Sequence, residues 1–195
     1  MFGDLRRVML SGLVMVALLG LPIGVGAHAN EVEVKIDFST FGTGVFDPLN
    51  YRPSGIVFPP QHCGPIGCSD WFVGFVQGDE ALVGSAQIGP ITARFTKAIS
   101  ALSLRVAPAF QGTAEYTLKA FGARGRVVGK QVVTVTQDSG DPQTGPLGYF
   151  TIDLGRLRSA ARSFTLASRF IRSSFSFTDI EFGVSDITYL RHARR

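Results

Sequence analysis

The chain has 195 residues, of which 45% are hydrophobic and 17% charged, so it is long enough for one domain with a hydrophobic core and too apolar to be disordered. Its net charge of +4 is mild and argues against a nucleic-acid groove, which needs clustered Lys and Arg with aromatic platforms. The 16 Phe, 23 Gly and 10 Pro favour an all-β fold, in which short strands alternate with many turns.

The first 29 residues predict a secretory signal peptide. A basic pair, Arg6 and Arg7, precedes an apolar run that extends to Gly26, and Ala27-His28-Ala29 supplies the small residues that a signal peptidase reads. An uncleaved membrane anchor is the alternative, because the run nearly reaches spanning length. We expect cleavage after Ala29, a secreted or periplasmic protein of residues 30–195, and no later membrane span.

Two segments after the cleavage site have strand character. Residues 31–38 alternate strictly between charged and apolar side chains, which predicts a strand with one buried face and one wet face. After a Gly-rich passage, Tyr51 precedes a short apolar strand at residues 55–58. Pro59 ends this strand, since proline cannot donate to a β-ladder.

Cys63 and Cys68 are the only two cysteines, and in an exported chain we expect them to form a disulfide. The glycines and the proline between them permit the tight bend that so short a loop requires. Because the loop is small, its stabilisation is expected to be about 2 kcal/mol or less. The alternative is a metal site that combines His62 with both cysteines, but such a site lacks the fourth ligand of structural zinc.

The middle and the end of the chain continue as strands. Alternation or apolar character between turns predicts strands at residues 71–76, 81–88, 91–95, 99–106, 114–121, 126–136, 149–154, 163–168 and 175–190. The segments 114–121 and 126–136 flank the turn 122–125, which predicts a hairpin. Residues 156–162 are predicted to form the one short helical turn.

This pattern predicts a single domain that is all-β, a two-sheet antiparallel jelly-roll β-sandwich of about eleven strands with at most one short helix. The closing strand pair, 175–190, alternates on both sides of Gly183. We expect it to pair near the opening strand 31–38. That pairing would make Asp37 and Asp186 neighbours in space.

Four phrases of the sequence carry a family resemblance. They are Lys35-Ile36-Asp37-Phe38, Tyr51 with Gly55-Ile56-Val57-Phe58, the hairpin 118–129, and Phe182-Gly183-Val184-Ser185-Asp186-Ile187-Thr188-Tyr189. In this order they resemble a bacterial exported β-sandwich domain common in extracellular proteins with a PEP-CTERM-type sorting tail. The resemblance implies a galactose-binding-like or carbohydrate-module-like jelly roll and no established activity. The chain ends at Arg195 without a sorting motif, so free export is expected instead of anchoring.

The resemblance also implies a structural calcium, which jelly-roll modules of this kind often hold where the first and last strands meet. Calcium prefers several carboxylate and carbonyl oxygens. Asp37 and Asp186 are the expected ligands, with Asp47 or Asp179 as additions. The alternative is that these carboxylates simply face water.

No catalytic motif is present. The sequence has no Gly-x-Ser-x-Gly elbow, His-Glu-x-x-His pair, P-loop or dinucleotide fingerprint. A glycoside hydrolase needs only two suitably separated carboxylates, and any folded domain supplies such candidates; here they are Glu80, Glu115, Asp153 and Glu181. We therefore predict a protein that is not an enzyme and has no cofactor other than the calcium considered above.

The function predicted is a binding module for carbohydrate or another cell-envelope ligand. Sugar platforms use exposed aromatic faces, and four aromatic residues lie next to predicted turns: Tyr51, Trp71, Phe110 and Tyr149. Each of them could instead belong to the core. One alternative is a structural or adhesive envelope protein whose edge strands pair with other chains. A less favoured alternative is a glycoside hydrolase.

Two basic segments remain, the Arg-rich stretch 156–172 and the tail 191–195. The simpler interpretation is a solvated strand face and a frayed terminus. The functional interpretation is contact with an acidic glycan or an anionic envelope surface. No nucleic-acid partner is expected, and the sequence leaves the oligomeric state open.

Overall fold

A computed structural model describes residues 31–38, 44–45, 47, 49–59, 72–76, 79–84, 90–108, 112–137, 148–173 and 182–192. This part of the chain contains ten strands and one short 3-10 turn at Arg52–Ser54. The strands are β1 (Glu31–Asp37), β2 (Gly44–Val45), β3 (Ile56–Val57), β4 (Phe72–Val76), β5 (Asp79–Gly84), β6 (Ile91–Pro108), β7 (Gly112–Phe121), β8 (Val127–Gln137), β9 (Phe150–Ser173) and β10 (Phe182–His192). Among these residues no helix has the length and apolar character needed to cross a bilayer.

The ten described strands form one hydrogen-bonded network in which every pairing is antiparallel. Eight of them follow one path in the order β2-β4-β5-β10-β6-β9-β7-β8, while β1 pairs with β10 and β3 pairs with β6. The predicted all-β antiparallel class is therefore confirmed, and the arrangement is consistent with a β-sandwich.

Strand β10 lies at the centre of this network. On one side it pairs with β6; on the other, Phe182–Val184 pair with β5 and the residues from Asp186 onward pair with β1. The ladder with β1 runs from Glu31 opposite His192 to Asp37 opposite Asp186, so the predicted pairing of the opening and closing strands is confirmed. Gly183 lies inside β10 and is not the turn between two strands.

Strands β6 and β9 are longer than the sequence predicts. The two short strands expected at 91–95 and 99–106 are one continuous strand, β6. The helical turn predicted at 156–162 is wrong, because these residues lie within β9. There the ladder is irregular: Arg156 lies opposite Ala101 and Ala161 opposite Ile99, so β9 has extra residues that loop outward. The segment is therefore extended and irregular, with Arg156 and Ala161 as its two residues that pair with β6.

Each long strand changes partners along its length. Strand β9 pairs with β6 from Phe150 to Leu166 and with β7 from Ser163 to Ser173, so residues 163–166 have partners on both sides. The predicted hairpin is confirmed as β7 and β8. In its turn, the backbone N–H of Gly125 donates to the Gly122 carbonyl at 3.0 Å, and a φ of +69° at Gly125 is a conformation that favours glycine.

Aromatic rings contact one another within a described core that is otherwise aliphatic. Ring centroids lie 4.9–6.0 Å apart, in edge-on or tilted contacts worth about 0.5–1.5 kcal/mol each beyond the area they bury. The contacts form three groups: Phe38 with Tyr51 and Phe58, Phe95 with Phe164 and Tyr189, and Tyr116 with Phe150 and Phe182. The first two groups lie beneath the site described next.

Candidate anion-binding pocket

The short turn Arg52–Ser54 is closed by local geometry. Pro53 presets the backbone for the turn, and Gly55 ends it with a φ of +99°, its N–H donating to the Arg52 carbonyl at 3.0 Å. Few residues other than glycine adopt this backbone conformation without strain. The sequence Arg-Pro-Ser-Gly therefore produces a tight turn immediately before β3.

Two neighbouring strands fix this turn in place. The Ser54 carbonyl accepts a hydrogen bond from the Tyr189 hydroxyl at 2.5 Å and one from Nη1 of Arg191 at 3.2 Å. The Gly55 carbonyl accepts from the backbone N–H of Thr96 at 2.9 Å. The turn is thus attached to both β10 and β6. It presents the Arg52 side chain beside the end of β10.

Gly55 also leaves space that a side chain would fill. A Cβ atom at this position would lie 2.8 Å from Nη1 of Arg191 and 3.3 Å from the Tyr189 hydroxyl. The Arg191 guanidinium can therefore pack directly over the turn and reach the Ser54 carbonyl. The glycine is required here both for its backbone conformation and for this close approach.

A pocket of about 530 Å³ opens next to the turn, between the turn itself and the ends of β1, β6 and β10. Four of the lining side chains are basic, and no acidic side chain is among the lining residues that the structure describes. The lining residues are Val32, Arg52, Pro53, Gly55, Thr96, Lys97, Arg191 and His192. A concave site of one charge sign concentrates counter-ions of the opposite sign.

The positive charge of the pocket is not neutralised by its surroundings. Within the described part of the chain, the side chains of Arg52 and Lys97 have no carboxylate partner. Arg191 donates to a backbone carbonyl, which carries no net charge. A ligand that brings a carboxylate, phosphate or sulfate would supply the missing negative charge.

Glu31, which adjoins the lining residue Val32 in the chain, has partners outside the pocket. Glu31 lies opposite His192 in the β1–β10 ladder, but its carboxylate accepts from the Ser100 hydroxyl at 2.7 Å and from Nη2 of Arg156 at 2.8 Å. These two donors, Ser100 first, hold the pKa of Glu31 below its ordinary value. The carboxylate is therefore paired with Arg156, and it also interacts through its charge with His192 of the pocket.

Tyr189 supports the pocket from below. Burial raises the pKa of its phenol to about 12, against a smaller opposing effect of Arg191. The hydroxyl is therefore protonated at all physiological pH values and can donate to the Ser54 carbonyl throughout that range. Its ring packs on Phe95 at 4.9 Å, which couples the turn to the aromatic core.

The structure describes two of the four aromatic residues predicted as a sugar platform, Tyr51 and Tyr149. Tyr51 is only 4% exposed and its ring packs against Phe38 and Phe58, so it belongs to the core and does not present a face to ligand. Tyr149 is half-buried, with the Arg105 guanidinium 4.0 Å from the centre of its ring. Trp71 and Phe110 lie outside the described residues.

Asp37 and Asp186 are neighbours in the ladder, as predicted. Oδ1 of Asp186 lies 3.0 Å from Nζ of Lys35 and Oδ2 lies 3.7 Å from Nη1 of Arg105. The hydrogen bond and the charge of Asp186 raise the pKa of Lys35. The Asp186 carboxylate is therefore already paired with two cationic side chains. A calcium ligand would instead direct its oxygens at the metal ion.

Three of the other proposed metal and catalytic residues have described side chains: Asp47, Asp153 and Glu115. In the described segments, no three His, Cys, Asp or Glu side chains are placed to hold a metal ion. Asp47 accepts from the N–H of Leu49 at 2.8 Å, Asp153 accepts from the N–H of Gly155 at 2.8 Å, and Glu115 pairs with Arg169 at 3.3 Å. Several other predicted features fall outside the described side chains: His62, Cys63, Cys68, Glu80, Asp179, Glu181 and the predicted signal peptide, residues 1–29.

The sequence patterns do not reveal this pocket. They single out neither Arg52 nor Lys97, and they place Arg191 in a frayed tail. The frayed-terminus interpretation is wrong for Arg191 and His192, which are the last two residues of β10. The available signal is the Arg-Pro-Ser-Gly turn, but its partners on β6 and β10 lie 41 to 137 residues away.

Comparisons with known proteins identify no family for this chain. No protein-family model and no curated protein matches it. A solved family two carbohydrate esterase from Cellvibrio japonicus is 9% identical over 85% of this chain, with a TM-score of 0.35. The infectious bursal disease virus Gx strain structure is 15% identical over 88% of this chain, with a TM-score of 0.32. The chain spans only 37% and 53% of those two chains, and likenesses this weak say nothing about its activity.

Proposed function

We propose that this protein is an exported, non-catalytic binding module that recognises an acidic carbohydrate of the cell envelope through the basic pocket. The observation that carries the proposal is the convergence of Arg52, Lys97, Arg191 and His192 on one concave site with no acidic lining residue in the described chain. The apolar run and small-residue motif of residues 1–29 support export.

The pocket offers complementary groups for a charged sugar. Arg52 can form two parallel hydrogen bonds to a carboxylate or an ester oxyanion, and Lys97 can add a third charge-assisted bond. The exposed side of Val32, which is 42% accessible, and the ring of Pro53 provide an apolar surface for the carbon face of a sugar ring. The Thr96 hydroxyl, which donates to the Gly55 carbonyl at 3.4 Å, can accept a hydrogen bond from a sugar hydroxyl.

The proposal includes the finer architecture suggested by the sequence. We infer that β6 and β9, which change partners along their length, pass between two sheets of a jelly-roll sandwich of the galactose-binding-like kind. Loops and strand ends at the rim of such a sandwich are common places for ligands. The basic pocket lies at such a strand end, where β10 and the turn before β3 meet.

Calorimetric titration with paired oligosaccharides tests this function. The purified protein is titrated with an oligogalacturonate and with a neutral oligosaccharide of equal length. We expect binding of the acidic oligomer only, with affinity falling as salt rises because the contacts are ionic. The variant Arg52→Ala/Lys97→Ala should weaken binding at least about tenfold, the loss of about 1.4 kcal/mol or more. Lys119→Ala, on β7 and outside the pocket lining, is the matched control.

Equal affinity for the neutral and acidic oligomers would refute a charge-based site. Wild-type affinity in the Arg52→Ala/Lys97→Ala variant would place binding elsewhere on the protein. Inorganic phosphate and sulfate, titrated separately, distinguish recognition of a sugar from recognition of a simple anion. Tight binding of phosphate without binding of any acidic oligomer would contradict the carbohydrate part of the proposal.

A further inference from the structure

Strand β8 is an edge strand. Among the residues that the structure describes, it hydrogen-bonds only to β7, with Gly112 opposite Gln137 at one end of the ladder and Phe121 opposite Val127 at the other. Its other side therefore presents backbone donors and acceptors that no described strand uses. Unpaired edges of this kind are templates for pairing with another chain.

The two halves of this edge differ. The residues from Val127 to Gln131 face part of β9 across a groove of about 490 Å³ that includes Asp153 and Arg158. Beyond Gln131, the residues from Val132 to Gln137 are not among those that line this groove. The second half, residues 131–137, is therefore more accessible to a second strand, since of these residues only Gln131 lines the groove.

The second half has the composition of a pairing strand. Its sequence, Gln-Val-Val-Thr-Val-Thr-Gln, contains no charge, no proline and no glycine. Val132 is 43% exposed, and Val133 and Val135 are half-buried on the opposite face. Every residue between its two glutamines is β-branched, so this edge could offer side-chain surface to a partner strand in addition to the backbone.

The edge strand β1 provides the contrast within the same protein. In the described part of the chain β1 pairs only with β10, and three of its four exposed side chains are charged: Glu33, Lys35 and Asp37, beside the apolar Val32. Charges on an edge strand oppose pairing with other chains. At the far end of the sheet path, β2 has only two residues, which is too short to recruit a partner. Of these three strands, only β8 is both long and uncharged along its accessible half.

We propose that β8 pairs antiparallel with β8 of a second copy of this chain, centred on Thr134. In this register Thr134 lies opposite its own symmetry mate, Val133 lies opposite Val135 of the second copy, and Val132 lies opposite Thr136. No charged residue enters the ladder of residues 131–137, and Lys130 lies outside it. The pairing is isologous, so it closes at a dimer and does not propagate into a fibre.

The dimer is expected to be weak and concentration-dependent. So short a ladder buries less area than the roughly 1,200 Å² that is typical of stable complexes. It would nevertheless place two basic pockets on one particle, which increases the apparent affinity for a polymeric ligand. The pairing does not depend on the proposed function, because the pocket residues and β8 share no side chain.

Charge pairs at position 134 test both the interface and the register. In this register, Thr134→Lys places two lysines opposite each other and Thr134→Glu places two glutamates opposite each other, so each variant alone should be monomeric. An equimolar mixture of the two variants should form a heterodimer, because the introduced lysine and the introduced glutamate then face each other. Sedimentation equilibrium between about 10 μM and 1 mM, roughly the range expected for weak strand pairing, measures the mass. Thr134 is exposed, so neither substitution is expected to unfold the protein.

Matched variants on the adjacent strand are the control. Thr117 lies on β7 opposite Val132, on the same face of the sheet but not at its edge. Thr117→Lys and Thr117→Glu should therefore dimerise as the wild type does. A wild-type protein that stays monomeric over the whole range overturns the proposal, as does equal dimerisation of Thr134→Lys and the wild type. A mixture of the two charged variants that remains monomeric overturns the register.

Discussion

Strands β10 and β8 are both 11 residues long and both alternate in sequence, yet their surroundings are opposite. β10 has neighbours on both sides, and its residues from Phe182 to Ile187 are all buried. β8 has one described neighbour, and its side chains from Lys130 to Thr136 alternate between exposed and half-buried. The burial of a strand's side chains therefore depends on the number of neighbouring strands as much as on the alternation of apolar and polar residues within the strand.

The two strands also treat their polar groups differently. In β10, Ser185 and Asp186 are buried, and Lys35 and Arg105 provide the cations that Asp186 needs. The Tyr189 hydroxyl is likewise satisfied by the Ser54 carbonyl. In β8, the polar side chains of Lys130 and Thr134 simply face water. Substitutions in β10 should therefore disturb several elements at once, while those in β8 should act locally.

The largest expected contrast comes from one chemical change made in both strands. Val184→Ala in β10 removes two methyl groups from a fully buried site and should lower the free energy of unfolding by about 2–3 kcal/mol. Val132→Ala in β8 removes the same groups from a side chain that is 43% exposed. This substitution should change the free energy of unfolding by less than about 0.5 kcal/mol. Urea unfolding of both variants measures the difference. Equal effects would mean that β8 is covered as fully as β10.

The next comparison uses two glycines with positive φ: Gly55, which lines the basic pocket, and Gly125, in the β7–β8 turn. Gly125→Ala introduces backbone strain only, since no atom lies within 4 Å of the added Cβ, and should cost about 1 kcal/mol. Gly55→Ala adds a contact of 2.8 Å with Arg191 and should cost about 2 kcal/mol. Thermal unfolding compares them. Only Gly55→Ala should also weaken binding of an acidic oligosaccharide, and weakening by both would contradict the proposed site.

Tyr189→Phe removes one hydrogen bond to the Ser54 carbonyl and should cost about 1 kcal/mol at neutral pH. Because burial raises the pKa of this phenol to about 12, its contribution is fully present below the ordinary value of 10.0 and is lost as the pH rises towards 12. The wild type should therefore lose stability over this interval more steeply than the variant. Parallel curves for the two proteins, measured by chemical unfolding, would rule out this role for Tyr189.

Two carboxylates, Glu31 and Glu115, test how stability depends on pH below neutrality. The pKa of Glu31 is lowered, so its contribution is present above the ordinary carboxyl pKa and is lost as the pH falls below that value. In the Glu31→Gln variant, the melting temperature should therefore fall less steeply than in the wild type as the pH is lowered. Glu115→Gln removes an exposed pair with Arg169 on the β7 side and should change little. Melting temperatures recorded between pH 3 and 7, about the range in which carboxyl groups titrate, decide whether only the first substitution has an effect.

The smallest expected effect concerns calcium. Because Lys35 and Arg105 already neutralise Asp186, we expect the melting temperature to be the same in calcium and in EDTA. Asp186→Asn, measured in both conditions, serves as the control, since its melting temperature should fall by the same amount in each. A calcium-dependent rise in the wild type that disappears in this variant would establish the site implied by the family resemblance.

Local patterns in the sequence predict the elements whose partners are close in the chain. The β7–β8 hairpin needs only a glycine turn and two alternating segments, and the pattern predicts it nearly to its ends. The all-β class and the pairing of β1 with β10 are also predicted, because strict alternation identifies strands with one buried face. Residues 156–162 have a composition that suits a helix, but they lie inside the long strand β9, where Arg156 and Ala161 pair with β6.

The basic pocket could not be predicted in the same way. Arg52, Lys97 and Arg191 are brought together by hydrogen bonds to the Ser54 and Gly55 carbonyls, and backbone carbonyls leave no trace in a sequence. The burial of Tyr51 likewise depends on contacts that the sequence pattern does not show. Its neighbours Phe38 and Phe58 lie on either side of it in the chain, but alternation alone does not say which side of a turn faces the core.

The central position of β10 has a consequence for how the protein acquires its structure. The strand that joins β1, β5 and β6 is the last of the described strands to be synthesised, so none of those three can complete its pairing earlier. Strands far apart in sequence must then find one another, and such topologies fold slowly. A nascent chain that lacks residues 182–192 should remain open and susceptible to proteases, and it should become protected only when β10 is added.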